Sequence, residues 1–598
     1  MLTLSTYNKR AINTCLFSCV VLLTLTSAGC TTTGSANSKH ASSAGVHMRP
    51  SVQQLQADPS QGIAAYKKGD YGTAYQLLSP LADDNATAQN LLGVMNLYGQ
   101  GIEKNTTKAM HFFGKAAEKG NADAQTNLAM EYYSGVHVEK DLNKAYATFN
   151  QAASQNHAVA QYMIGNMYNK GHGVNVDLVK SKQWYVWSAL NDYPPAQYAL
   201  GLYFLDGIGV DKNLKTASSW LEKAAIAGHA SAQYTVGVLY LQGQGVTRDY
   251  VLGAKYIRMS ADQRVLEAQY VLGTLYREGK GVMQDAYEAA RWMRLAADRG
   301  YSYAQYLLAN MYLEGKGVKQ DFSEAEKYDQ LAADKGLSAA QSDLGWMYLH
   351  GKGVPQDYSE AIEWFIKSAN QGDSYAQFML GQIYNNKESG KKNIKTALEW
   401  YEKAAKNNHV LAQYTLGMML LQSRSDPEKA LSWLKEAAGN GHVEAQLQVG
   451  KIYALAPDSA LRNDDEAYKW INKAAYQGNS IAQYIMGGFY ELGYHVPQNK
   501  SVAMEWYKSS AEQGNQKAQQ ALDNLSARGY SPSSNKKNNT VSLSDLINYF
   551  SALSESDTGK AVEVFFSGVN KSLDSQRSDD CVVHGGSYFS GVCSGKRW

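Results

Sequence analysis

Apolar residues recur at spacings of three and four along most of the chain, and pairs of glycines interrupt them at regular intervals. In the segment AQYVLGTLY, residues 268–276, Ala268, Leu272, Leu275 and Tyr276 fall on one stripe of a helix. Gly273 carries no side chain, so a second helix is expected to approach closely there. Gly279-Lys280-Gly281-Val282 then ends the helix, because glycine reaches the left-handed backbone that a C-cap needs. Asp285 follows, with Glu288 three residues later, the spacing of an N-cap and a reciprocal partner. Asp321 and Glu324, then Asp357 and Glu360, repeat the device. A second helix is predicted over 289–297, with Trp292 and Ala296 one turn apart, and Gly300 closes the unit.

The unit is repeated. An Ala-Gln pair starts the same block at Ala88, Ala124, Ala160, Ala196, Ala232, Ala268, Ala304, Ala340, Ala376 and Ala412, each 36 residues after the last. Ala445, Ala482 and Ala518 continue the series at spacings of 33, 37 and 36, so thirteen marks bound twelve units. A helix pair this small cannot bury both its apolar stripes alone. Each unit therefore needs neighbours, and the terminal units need caps. In the ninth to eleventh units the turn glycines are replaced, by Lys387 and Ser389, by Ser423 and Ser425, and by Leu455-Ala456-Pro457. Connections from about 385 to 465 are expected to differ in shape, as a distinct contact surface or as drift in exposed turns.

The pattern Ala-Gln-Tyr-x-Leu-Gly-x-x-Tyr, Gly-x-Gly-Val, Asp, Ala-x-x-Trp-Tyr-x-x-Ala-Ala-x-x-Gly resembles the Sel1-like repeat, a relative of the tetratricopeptide repeat. The resemblance covers residues 62 to about 526. It implies an all-α, right-handed α/α solenoid and a role in holding other proteins. Residues 62–87 are similar to a short helix pair capping the start of the array.

The flanks have another character. Lys9 and Arg10 precede an apolar run from Ala11 to Leu25, and Ser27, Ala28 and Gly29 lead to Cys30, the order of a secretory signal over 1–29. Ala28-Gly29-Cys30 is similar to the lipobox of bacterial lipoproteins, with Ser27 where leucine is commoner. The resemblance implies a lipid on Cys30 and, with Thr31 after the cysteine, an outer-membrane address. The alternatives are a cleaved signal with an incidental cysteine, or an uncleaved anchor. Residues 30–61 read as a flexible tether with a reach of roughly 30 Å. Residues 527–540 form a polar linker, and 541–598 a small C-terminal module. That module shows helical spacing at Leu546, Ile547, Phe550 and Leu553, then ends in a glycine-rich stretch bounded by Cys581 and Cys593. In an envelope compartment these two cysteines are expected to close a disulfide loop, contributing about 3 kcal/mol by chain-entropy reasoning.

Charge changes the picture little. Lys plus Arg number 57 and Asp plus Glu 55, so no cationic excess exists to neutralise phosphates, and nucleic acid is not expected as a partner. Beyond the N-terminal run, no stretch of roughly 18 apolar residues offers a membrane span.

Candidate chemistry is sparse. Gly279-Lys280, Gly315-Lys316 and Gly351-Lys352 lack the spacing, the following Ser or Thr and the preceding strand of a phosphate loop, so they read as turns. His157, His229, His409 and His442 share one repeat position, and since even adjacent repeats separate such positions by a repeat's thickness, they are too far apart to converge on a metal. They read as loop or helix-entry residues, and no metal or cofactor is expected. The column Tyr162, Tyr198, Tyr234, Tyr270, Tyr306, Phe378, Tyr414 and Tyr484 reads as inter-helix packing, as do Trp184, Trp220, Trp292, Trp364, Trp400, Trp433, Trp470 and Trp506. Trp346 stands where other units carry variable residues such as Asn166, Thr274 and Gln382. It is either a partner contact or an incidental half-buried ring.

Together these readings predict a non-enzymatic, lipid-anchored periplasmic scaffold whose partners are proteins of an envelope assembly serving secretion, exopolysaccharide export or motility. No small-molecule substrate is implied. A surface-exposed host-interaction factor and a cell-wall hydrolase or peptidoglycan-binding protein are the rivals. The last would be expected to carry a disulfide in each repeat, and the array from Ala88 to Ala518 contains no cysteine.

Overall fold

The computed structural model describes residues 59–423, 426–455 and 463–527. The signal, the linker, the C-terminal module and Cys30, Cys581 and Cys593 lie outside the described residues, as does the tether up to residue 58. Two compact units divide the chain, one up to Ala296 and one from Ala297 onward. Within each, helices follow one another as antiparallel pairs, and the described residues contain no strand.

The sequence dictates the pairs closely. The first helix of a unit begins two residues before the Ala of the Ala-Gln pair, as in Ala158–Lys170, Ala230–Gln242 and Ser374–Asn385. It ends at a left-handed glycine such as Gly171 or Gly243. The second helix begins after an Asn or Asp N-cap: Asp177 Oδ1 accepts the Lys180 N–H at 2.9 Å and Asn213 Oδ1 that of Thr216 at 2.9 Å.

Glycine at the eighth position of the first helix lets the pair close. A Cβ on Gly381 would lie 2.6 Å from the Tyr401 ring, and one on Gly201 2.6 Å from Leu221. The second turn glycine is required twice. Gly173 has φ of 72°, and a Cβ there would meet the Leu142 carbonyl oxygen, at the start of the preceding unit's second helix, at 2.5 Å. Gly245 and Gly353 meet the carbonyls of Leu214 and Phe322 in the same way, so these units close tightly on the ones before them.

The expected reciprocal cap does not form. Asp285 and Asp321 do accept the N–H groups of Glu288 and Glu324. Their own N–H groups, however, are already bonded to the carbonyls of Tyr276 and Tyr312 in the first helix. With no donor left, Glu288 turns to Arg291 and the Trp292 indole, and Glu324 to Lys327. The altered ninth turn is confirmed as different. The first helix ends one residue early, with Asn386 extended ahead of Lys387, and the Ser389 hydroxyl at the second glycine's place donates to the Ile383 carbonyl.

Within each compact unit the core is divided among separate clusters, each drawn from neighbouring repeats. One gathers Tyr185, Ala196, Leu200 and Tyr203; another gathers Ala361, Phe365, Leu380 and Tyr401. Ends are covered as a repeat array requires. At the start, the helices Ser60–Lys67 and Tyr71–Leu78 pack Gly62 against Leu78, and the Tyr66 hydroxyl donates to Gln100. The expected array start at residue 62 is thus two residues inside the first helix. At the other end Gln516–Ala527 buries Ala518 and Ala521 and turns Gln519, Gln520, Asp523 and Asn524 to solvent.

Candidate partner-binding face of the first helices

The recurring Ala-Gln pair is structural, and its amide does the joining. Gln161 Nε2 donates to the Ala153 carbonyl, which is left over at the end of the preceding second helix, at 3.3 Å. Its Oε1 accepts from Asn191, thirty residues ahead, at 2.9 Å. Gln233 does the same between Ala225 and Gln263 (3.1 and 2.8 Å), and Gln377 between Ala369 and Asn407 (3.0 and 2.9 Å). The result is a ladder of buried side-chain amides along each unit. Two rungs are missing among the described residues: Gln89 Oε1 and Gln197 Oε1 are buried without a partner, since Lys119 donates to the Asp83 carbonyl instead and Ala227 has no donor to offer. Sequence reasoning registered the pair but not this role.

The four histidines of the shared position are N-caps. Nδ1 of His229, His409 and His442 accepts the N–H of Ala232, Ala412 and Ala445 at 3.2, 3.2 and 3.1 Å. His157 faces Ala160 in the same way at 3.4 Å and meets Asp123 through Nε2 at 3.0 Å. The imidazoles of His229, His409 and His442 stack on Tyr198, Phe378 and Tyr414 of the preceding unit. Burial lowers the His229 pKa to about 4 and lowers that of His442 as well. His229 and His442 are therefore neutral imidazoles at pH 7, and the four histidines stand where Asn121 and Asn479 cap other units. Among the described residues no three His, Cys, Asp or Glu side chains group as a metal site would need.

The aromatic column behind Ala-Gln is packing: Tyr198, Tyr306, Phe378 and Tyr484 are buried and the rest half-buried, and burial pushes the Tyr414 phenol up to about 12. The tryptophan column lies on the second helices, with Lys223, Lys367, Lys403 and Lys473 over the rings of Trp220, Trp364, Trp400 and Trp470. The turn lysines behave as turn residues: Lys280 pairs with Glu278 and Lys316 with Glu314, while Lys352 lies over the Phe322 ring.

What remains for partners is the variable stripe of the first helices. Positions seven residues apart share a face, and the ninth position reads Asn310, Trp346, Gln382, Met418 and Lys451 in successive units, all half-buried. Trp346, in Ser338–His350, packs one edge on the cluster holding Phe365 and Phe378, and its ring centroid is 4.6 Å from that of His350. The bond from His350 Nδ1 to the Trp346 carbonyl, 2.9 Å, further fixes this turn. Trp346 is the largest side chain of the stripe. Sequence reasoning missed Asp329, which is fully buried where other units place Phe, Tyr or Leu, and Lys451. Their only signal was a polar residue out of step with its column.

The Sel1 repeat model matches twelve segments of this chain, from 86–121 through 302–337 to 480–515, well over half its length. The chain belongs to the Sel1 repeat family. The crystal structure of c5321, a protective antigen present in uropathogenic Escherichia coli strains and displaying an SLR fold, is similar to this Sel1 repeat protein. The identity is 32%, the TM-score 0.60, and the match spans 71% of this chain and 91% of that one. A Sel1 repeat protein from Oxalobacter formigenes is 31% identical over 55% of this chain and 94% of its own, with a TM-score of 0.39. No curated protein matches. Sel1 repeat proteins generally mediate protein–protein interactions and are typically non-catalytic, and the twelve repeats place this chain among them.

Proposed function

We propose that this Sel1 repeat protein is a scaffold held to the bacterial envelope through a lipid on Cys30, and that the first-helix stripe around Trp346 docks protein components of an envelope assembly. The observation that carries the reading is the split within each repeat. The Ala-Gln amides, close-packing glycines and caps satisfy the repeat's own backbone and core, while the ninth position varies and is half-buried in each unit from Asn310 to Lys451. A large aromatic side chain rimmed by polar neighbours is the residue type that dominates binding energy. In-cell crosslinking followed by purification tests it. Wild type is expected to recover defined envelope partners and Trp346→Ala to lose them; recovery of the chain alone counts against the scaffold. The address is tested separately: Cys30→Ser is expected to abolish fatty-acid labelling and release the protein from the membrane fraction.

A second reading, a surface-exposed factor that meets a host cell, is favoured by the description of c5321 as a protective antigen. Protease treatment of intact cells separates the two, since only a surface-exposed chain would be cut.

A further inference from the structure

Three consecutive first helices, Val410–Ser423, Val443–Leu455 and Ser480–Leu492, carry a single cationic side chain between them, Lys451. Their register places it. First helices of successive repeats lie side by side, with the fifth position of one against the sixth of the next, as the 2.9 Å bond from Asn127 to Asn90 shows directly. By the same register Leu447 shares a core cluster with Ile485. Lys451 is four residues beyond Leu447, and Phe489, four beyond Ile485, is buried in that same cluster. On the other side, Met418 packs with the cluster holding Ala445 and Val449. Ile481 and Leu492 stand exposed on the stripe that contains Gly488. Lys451 therefore lies in an apolar strip.

Among the described residues no carboxylate answers it. The two acids on these helices are used elsewhere: Glu491 accepts from the Tyr507 hydroxyl at 2.7 Å, and Glu444 lies 3.8 Å from His442. Glu444 is also two helical turns from Lys451, roughly 10 Å along the axis. Burial pushes the Lys451 ammonium below the usual lysine range, with no charge to hold it up. An unpaired, half-buried cation costs stability unless something pairs with it.

We propose that the strip from Met418 to Leu492 binds a partner segment carrying a carboxylate flanked by apolar residues, with Lys451 as the counter-charge. The idea rests on the scaffold reading and supplies its partner's chemistry. An anion entering this strip gains a charge-assisted hydrogen bond in a site already partly desolvated, and the apolar flanks lie over the exposed Ile481 and Leu492.

A displayed library of random short peptides, selected in parallel on the full chain and on Lys451→Met, tests it. Wild type is expected to enrich peptides with Asp or Glu between apolar residues, and Lys451→Met to lose that enrichment roughly tenfold or more. Replacing the selected acid by its amide should weaken binding to a similar degree. Lys451→Met keeps the aliphatic stem and removes a desolvated charge, so its melting temperature is expected to equal or exceed that of wild type. Enrichment without an acidic position, equal enrichment on the variant, or no enrichment overturns the proposal. A marked fall in melting temperature would also overturn it, by making Lys451 a structural residue. Crosslinked partners that persist in Lys451→Met would sink this inference alone and leave the scaffold standing.

Discussion

A glutamine that donates backward to a stranded carbonyl and accepts from the repeat ahead is worth more than its own burial suggests, because both halves of its amide are used. The broken rung at Gln197 makes this measurable. Ala227→Gln is expected to supply the missing donor and to raise stability by about 1 kcal/mol in urea unfolding. Arg264 offers a second test. It closes its repeat with φ of 64°, where most other repeats use a glycine such as Gly228 or Gly300. Arg264→Gly is expected to gain about 1 kcal/mol by relieving a left-handed strain. The histidine caps add a pH dependence. Because the His229 pKa falls from 6.5 to about 4 on folding, the unfolded chain binds the extra proton between those values. Its contribution is whole above pH 6.5 and drains away as pH falls towards 4, by about 3 kcal/mol at most. His229→Asn keeps a cap and should flatten that part of the stability–pH curve. These roles were only partly legible. Periodicity put the histidines at helix entries, but the ladder stayed hidden, since its partners lie eight residues back and thirty ahead on other helices.

At the scale of the helix pair the sequence was easiest to read, because each signal had a local cause. The glycine expected to admit a close neighbour does so where it occurs, as Gly381 against Tyr401 and Gly487 against Tyr507 show, and only Ala129 and Ala309 replace it in the twelve units. Gly381→Val should therefore cost about 1–3 kcal/mol by overpacking, read as a lowered urea midpoint with unchanged slope. The reciprocal cap failed for a reason that spacing cannot reveal. The donor at Asp285 is consumed by Tyr276 across the turn, a contact of tertiary structure. Lys451 was equally opaque, since a lysine at a variable position looks solvated until the register sets it against the helix of Phe489.

For the molecule as a whole, nearest-neighbour packing makes stability close to a sum over units and their joints. Deleting one whole unit, residues 338–373, is expected to leave helix content per residue unchanged by circular dichroism while removing the Trp346 site and the partners crosslinked through it. A deletion out of phase, such as half that length, should unfold the surrounding units. Repeat number and phase were readable from end to end because a period of 36 survives substitution at most positions. Function was not, because it rests on the few positions that the period leaves free. The tryptophans on the second helices have a practical consequence. They stand at one place in eight of the twelve repeats, several with a lysine ammonium on the ring face, so intrinsic emission samples the chain at near-regular stations. Single-tryptophan variants would let an optical signal report which stretch frays first and where a bound partner quenches the light.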